Sequence, residues 1–171
     1  MAMPRSALAT RSSPRRFVML MVLLGTLSVL GGCPAPLPKD TPEAVRRFLE
    51  LPQAEQRRTL GRYPPAMQVE LACTQWRHVH QANGGLVEAL ASTGCVVIPS
   101  IDSALARETD GAFIAHLLIN ALAEMDLASC DSMAVRAVMR TASAKLASVS
   151  DSYYKQKAQK YLAAVERVVS H

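Results

Sequence analysis

Three observations predict an all-α fold. After residue 41, apolar residues recur at the three- and four-residue spacing of amphipathic helices. Prolines and glycines fall between these runs, where helices begin and end. No run has the alternating, β-branched pattern of a strand. We therefore expect six to eight helices, arranged as a small stack of helical hairpins or as an irregular bundle.

The first three helices are predicted from their caps and apolar positions. Thr41-Pro42-Glu43 supplies an N-cap, a first-turn proline and an acidic residue at the positive end of the helix dipole. A polar helix from Gln53 to Arg62 follows, and Pro64-Pro65 separates it from the third. The third helix extends from Ala66 to about His80, and Asn83-Gly84-Gly85 is expected to end it. Its apolar positions are Val69, Ala72, Cys73 and Trp76.

The middle of the chain predicts three more helices. A short one from Leu86 to Ala91 precedes a turn at Ser92-Thr93-Gly94, and the next has Pro99 in its first turn. An acidic loop, Glu108 to Gly111, leads to the helix with the widest apolar stripe in the sequence. That stripe consists of Phe113, Ile114, Leu117, Leu118, Ala121, Leu122 and Met125.

Two longer helices are predicted at the end of the chain, separated by Ser150-Asp151. The apolar face of the first extends from Val135 to Val149, and that of the second from Tyr154 to Val169. About 130 residues follow residue 40, which is enough for one independent core. We therefore treat residues 41–171 as a single helical domain.

The order of helices in the middle segment resembles HEAT or armadillo-like repeats. The resemblance rests on Gly94, Val97, Pro99, Leu105, Asp110 and Ala121-Leu122. It covers roughly one and a half repeats, fewer than the three or so that such repeats need for stability. It implies a small or degenerate relative of those stacks.

The N-terminal segment has the composition of an export signal. Arg15-Arg16 precedes an apolar run from Phe17 to Leu30, which is shorter than the roughly 20 residues of a stable membrane span. The run ends in Leu30-Gly31-Gly32-Cys33. This ending resembles the leader of bacterial lipoproteins, in which Leu30, Gly31 and Gly32 would guide the signal peptidase and Cys33 would carry the lipid.

The lipoprotein resemblance divides the chain into three parts. Residues 1–32 would be a cleaved signal peptide, and residues 33–40 an acylated cysteine followed by a proline-rich, extended tether. Pro34, directly after the acceptor, favours the outer membrane, with the domain facing the periplasm. An ordinary secretory signal cut elsewhere and a retained anchor helix are the alternatives.

Removing the leader changes the meaning of the charge. The sequence has 19 basic and 14 acidic residues, but four of the arginines lie before Cys33 and every acidic residue lies after it. The mature domain would have 15 basic and 14 acidic residues, close to neutral. No basic stripe with interleaved aromatic residues remains, which argues against a nucleic-acid partner.

The remaining cysteines predict one disulfide in an oxidising compartment. Cys73, Cys95 and Cys130 allow three pairings, and we favour Cys73 with Cys130 because Cys95 adjoins the apolar Val96-Val97-Ile98. No CxxC or HxxxH spacing indicates a metal site, and we expect no cofactor besides the lipid.

Two groups of residues are candidates for interaction. Trp76-Arg77 combines residue types that are frequent in binding hot spots, although a lone tryptophan at an apolar position is often a core residue. His116, Asn120 and Glu124 recur every fourth residue, so they share a helix face that could line a groove or simply be solvated.

No catalytic motif is present, so the sequence predicts a binding function rather than an enzyme. Our main hypothesis is a membrane-tethered envelope lipoprotein that acts as a helical protein-interaction module. The alternative is a lipoprotein that binds a small apolar or cell-wall ligand in a pocket between helices. An enzyme would require titratable groups such as His116 and Glu124 to be buried together in a cleft.

Overall fold

The computed structural model describes residues 42–79, 84–109, 111–150 and 152–170, all within one structural unit, Ala35–His171. This part of the chain forms eight α-helices and two short 3-10 turns, at Gly94–Val97 and Leu127–Ser129. The helices are α1 Glu43–Glu50, α2 Gln53–Leu60, α3 Pro65–Val79, α4 Gly84–Thr93, α5 Ile98–Arg107, α6 Ala112–Ala123, α7 Ser132–Ser148 and α8 Tyr153–Val169. The predicted all-α class is confirmed, and no strand occurs among the residues described.

The helices pack in two layers. Each helix contacts the one two places further along the chain, so that α1, α3, α5 and α7 form one layer and α2, α4, α6 and α8 the other. Where side-chain contacts define the register, neighbouring helices within a layer run in the same direction. Phe113 of α6 meets Tyr154 near the start of α8, and His116, one turn later, meets both Tyr154 and Tyr161.

Helix α6 is the centre of the core. Nine of its twelve residues are buried, because α4 and α8 flank it within its layer and α3, α5 and α7 contact it from the other. The widest predicted apolar stripe thus belongs to the most enclosed helix. Burial on most sides accounts for its almost entirely apolar sequence.

Two glycine-containing segments behave differently from the prediction. Gly84-Gly85 begins α4, and α3 is described as far as Val79, next to its predicted end at about His80. The predicted turn at Ser92-Thr93-Gly94 is a bend within helical chain, because α4 runs through Thr93 and a 3-10 turn joins it to α5. Gly94 has a φ of 74°, a left-handed conformation that glycine adopts without a Cβ clash.

Side chains of buried glutamines form hydrogen bonds at the ends of the first helices. Gln56 of α2 donates from Nε2 to the carbonyl oxygen of Phe48 in α1 at 3.1 Å. Gln68 of α3 donates to the Tyr63 carbonyl oxygen at 2.7 Å, and its own Oε1 accepts from the Thr93 hydroxyl, also at 2.7 Å. These bonds satisfy polar groups that the core would otherwise leave unpaired.

One helical stretch in the described residues, Gly84–Arg107, is long and apolar enough to cross a membrane by length and composition alone. It comprises α4, the 3-10 turn and α5. Its largest apolar side chains lie in the protein core, including Leu90, Ile98 and Leu105, each 1% exposed or less. The largest apolar side chains of this stretch thus form part of the core of the domain.

Candidate functional site

A cleft of about 540 Å³ lies between α3 and α5. Both helices belong to the same layer, and their C-terminal ends meet where Arg77 Nη2 donates to Glu108 Oε2 at 2.6 Å. Val69 and Ala104 supply apolar lining, and Ser100 and Ser103 add hydroxyl groups to the α5 wall. Its size falls within the usual range for small-molecule sites.

Glu108 is the buried anchor at one end of this cleft. Its side chain is 1% exposed, whereas that of its partner Arg77 is 44% exposed. The Lys145 ammonium of α7 donates to the Glu108 carbonyl oxygen, so α3, α5 and α7 are joined around one residue. The predicted acidic loop therefore begins with a structural carboxylate, which its burial holds in a fixed position.

Cys73 lies in the cleft lining but is not a nucleophile. Burial is the main cause that raises the pKa of its thiol to about 12, and nearby Arg77 lowers it only in part. A thiol with such a pKa is protonated at neutral pH, and thiolate is the reactive form. We therefore assign Cys73 to the packing of α3.

The predicted disulfide pairing was wrong. Cys95 is bonded to Cys130, and Cys73 is the free, buried thiol. The two bonded residues lie 35 positions apart, but their Cα atoms are 5.3 Å apart because the 3-10 turns beside them are in contact. Of the apolar residues after Cys95, Val97 and Ile98 are buried but Val96 is 64% exposed, and Cys95 is only partly buried, at the edge of the core.

Of the two possible interaction residues Trp76 and Arg77, Trp76 does not lie on the surface. Trp76 has no exposed surface, so it cannot contact a partner, and the core interpretation of this tryptophan is the correct one. Arg77 points to the cleft instead and pairs with Glu108. Neighbours on a helix point about 100° apart, which here separates core from cleft.

The face containing His116, Asn120 and Glu124 is neither a groove nor a solvated surface at its start. His116 is 5% exposed, Asn120 is half-buried and only Glu124 is exposed. The reason is that α8 packs over this face, with the rings of Tyr154 and Tyr161 at 5.6 and 5.5 Å from the imidazole. The sequence alone did not identify which helix would cover it.

The surroundings of His116 disfavour its charged form. Burial, with a smaller contribution from the Lys157 charge, lowers the pKa of its imidazole. Neither ring nitrogen has a hydrogen-bond partner among the described residues. His116 and Glu124 differ in burial, so they do not form the shared buried pair that an enzyme site would require.

A second surface feature is the side of α8 that borders its contact with α6. We call Tyr153, Tyr154, Lys157, Tyr161 and Val168 the tyrosine surface. Tyr153 is 63% exposed and Val168 52% exposed, while Tyr154 packs its ring against Phe113 at 4.9 Å. Lys157 Nζ lies 4.6 Å from the centre of the Tyr153 ring, a cation–π contact.

Two further predictions concern a metal site and the leader. Among the described residues, no group of three or more metal-ligating side chains is close enough to hold an ion. The leader, Leu30-Gly31-Gly32-Cys33 and the tether lie outside the described residues, so their assignment stays a prediction.

Comparison with known proteins adds no family to these observations. The chain matches no protein-family profile, no curated protein and no solved structure. The described residues form a two-layer, all-α domain with a polar cleft between α3 and α5 and several tyrosines on α8.

Proposed function

We propose that this chain is a lipid-anchored envelope protein whose helical domain binds a protein partner through the tyrosine surface. The observation that carries the proposal is the exposure of large apolar side chains on α8. Large apolar side chains that are exposed together on one helix are typical of surfaces that bind other proteins. Helix α8 exposes Tyr153 and Val168 in addition to polar residues such as Lys160.

The composition of the tyrosine surface indicates the kind of partner. Tyrosine is enriched in protein interfaces because it offers a large contact area with a hydroxyl group at its edge. Helix α8 also has four basic residues and one acidic residue, and the Lys157 side chain lies over an exposed ring. We therefore expect a partner surface that combines acidic and apolar side chains.

The layered packing is the support for a HEAT-like scaffold. Contacts between each helix and the second one along, made in both layers, are the pattern expected when helical pairs stack. Such stacks generally bind partners through extended faces rather than through an enclosed pocket.

The envelope location rests on the leader and is supported by the cysteines. The leader predicts export and lipidation at Cys33. The Cys95–Cys130 disulfide is of the kind that persists in oxidising compartments such as the periplasm. The outer membrane remains our expectation from Pro34.

Metabolic labelling with palmitate tests the anchor. We expect the full-length protein to incorporate the label and Cys33→Ser to lose it, because no other thiol would be the acceptor. Cys73→Ala is the matched control and should stay labelled. Label that persists in Cys33→Ser would overturn the lipoprotein assignment.

Site-specific photocrosslinking in cells tests the partner surface. A photoreactive amino acid at Tyr153 of the full-length, anchored protein should crosslink to one discrete envelope protein. The same group at Gln53, an exposed position on α2, is the matched control and should not. Lys157→Glu should lower the yield from position 153 severalfold, because it reverses the charge that an acidic partner would meet.

Two results would contradict the interaction proposal. One is equal crosslinking from positions 153 and 53, which would indicate non-specific contact. The other is the absence of any discrete product from position 153 while the anchored protein is present at its native level.

A further inference from the structure

We infer that the cleft between α3 and α5 binds a short peptide with free ends, its carboxylate held near Arg107 and its amino group near Glu70. This site is separate from the tyrosine surface and does not depend on the proposed partner. Its lining does not suit the small apolar ligand that was one form of the alternative function, because charged and hydroxyl side chains form much of it.

The cleft has an uncompensated cation at one end. Arg77 is neutralised by the buried carboxylate of Glu108. Arg107, the last residue of α5, lines the same end and is exposed, and it makes no ion pair within the described part of the chain. Its guanidinium therefore has its donors available for an incoming anion.

The helix dipoles do not cancel this positive charge. The C-termini of α3 and α5 each contribute roughly half a negative charge. Three cations lie around them, namely Arg77, Arg107 and the Lys145 ammonium on the Glu108 carbonyl oxygen. After the Glu108 carboxylate and both helix ends are subtracted, about one positive charge remains, which favours a carboxylate.

An acidic group lies along the same cleft, about two helical turns before the Arg77 end that Arg107 also lines. Glu70 is exposed, lines the cleft and has no ion-pair partner among the residues described. It precedes Arg77 by seven residues on α3, which is about 10 Å along the helix axis. Because an extended chain advances by about 3.3–3.6 Å per residue, about three residues would place an amino group and a carboxylate at these two ends.

The walls of the cleft suit a peptide backbone. Ser100 and Ser103 supply hydroxyl groups beside the apolar Val69 and Ala104. The Ser103 hydroxyl donates to the Pro99 carbonyl oxygen at 2.9 Å, and its oxygen keeps a lone pair for a peptide N–H group. Burial raises the pKa of the Cys73 thiol in the lining to about 12, which disfavours the thiolate that covalent capture would need, so we expect reversible binding.

The test titrates the full-length protein in detergent with tri-L-alanine, followed by calorimetry and by amide NMR. We expect a dissociation constant in the millimolar range. We also expect amide chemical-shift changes that are confined to α3 and α5. Tri-L-alanine carboxamide and N-acetyl-tri-L-alanine should each bind at least about tenfold more weakly, because each lacks one charge. Arg107→Gln should weaken binding of the free peptide by a similar factor, whereas Arg140→Gln on α7 is the matched control and should not.

Three results would overturn the inference. The first is no binding of tri-L-alanine, or shifts that lie outside α3 and α5. The second is equal binding by Arg107→Gln and the unsubstituted protein. The third is an acetylated peptide that binds as well as the free one, which would indicate a site for the carboxyl terminus of a protein chain and not for a free peptide.

Discussion

Replacing both Cys95 and Cys130 by alanine will lower the free energy of unfolding by about 3–4 kcal/mol. The bond joins positions 35 residues apart, and a crosslink over such a loop removes conformational entropy from the unfolded chain. It also ties the start of α5 to the start of α7 through the two 3-10 turns. Denaturant titration without reductant measures the loss, and adding a reductant to the unsubstituted protein should reproduce most of it.

Cys73→Ala is the control for this experiment. Because Cys73 is a free thiol in the core, we expect a loss of about 1 kcal/mol from the small cavity alone. If Cys73 were bonded to Cys130 instead, Cys73→Ala would cost as much as the double substitution. A double variant as stable as the unsubstituted protein would contradict the observed pairing.

The disulfide illustrates what could be predicted from the sequence and what could not. The prediction of one bond and one free thiol among Cys73, Cys95 and Cys130 is confirmed. The pairing depended on which turns lie side by side, and local pattern carries no information about that. The helices themselves were predictable because their apolar spacing is a property of consecutive residues.

Positions between helices were harder to predict for the same reason. Gly84-Gly85 is compatible with either the end of one helix or the start of the next, and packing of α4 against α2 and α6 decides in favour of the start. His116 was expected on an open face of α6. Its burial comes from α8, about 40 residues later in the chain, through the rings of Tyr154 and Tyr161.

The cleft could not be predicted from the sequence, because the residues next to Glu108 do not indicate that its side chain is buried. Glu108 reads as part of a polar loop, yet Arg77 from α3 and Lys145 from α7 enclose it. These contacts span 31 and 37 residues. Only the arrangement of three helices in one layer brings these residues together, and that arrangement also places Arg107 at the end of the cleft.

Trp76→Ala is expected to have the largest effect of any single substitution considered, lowering the free energy of unfolding by about 3–5 kcal/mol. Trp76 has no exposed surface, and truncating a buried aromatic side chain loses its burial and leaves a cavity. Trp76→Phe should cost less than half as much. It keeps an aromatic ring and removes the indole N–H, which has no hydrogen-bond partner among the described residues.

Denaturant titration of both variants distinguishes a core tryptophan from a binding anchor. Tyr153→Ala is the matched control, because that ring is 63% exposed, and its stability should stay within about 0.5 kcal/mol of the unsubstituted protein. In cells, Trp76→Phe should leave the crosslinking yield from position 153 unchanged. Two results would indicate that Trp76 belongs to the interaction surface. One is a Trp76→Ala variant that unfolds at the same denaturant concentration as the unsubstituted protein. The other is a Trp76→Phe variant that folds but no longer crosslinks from position 153.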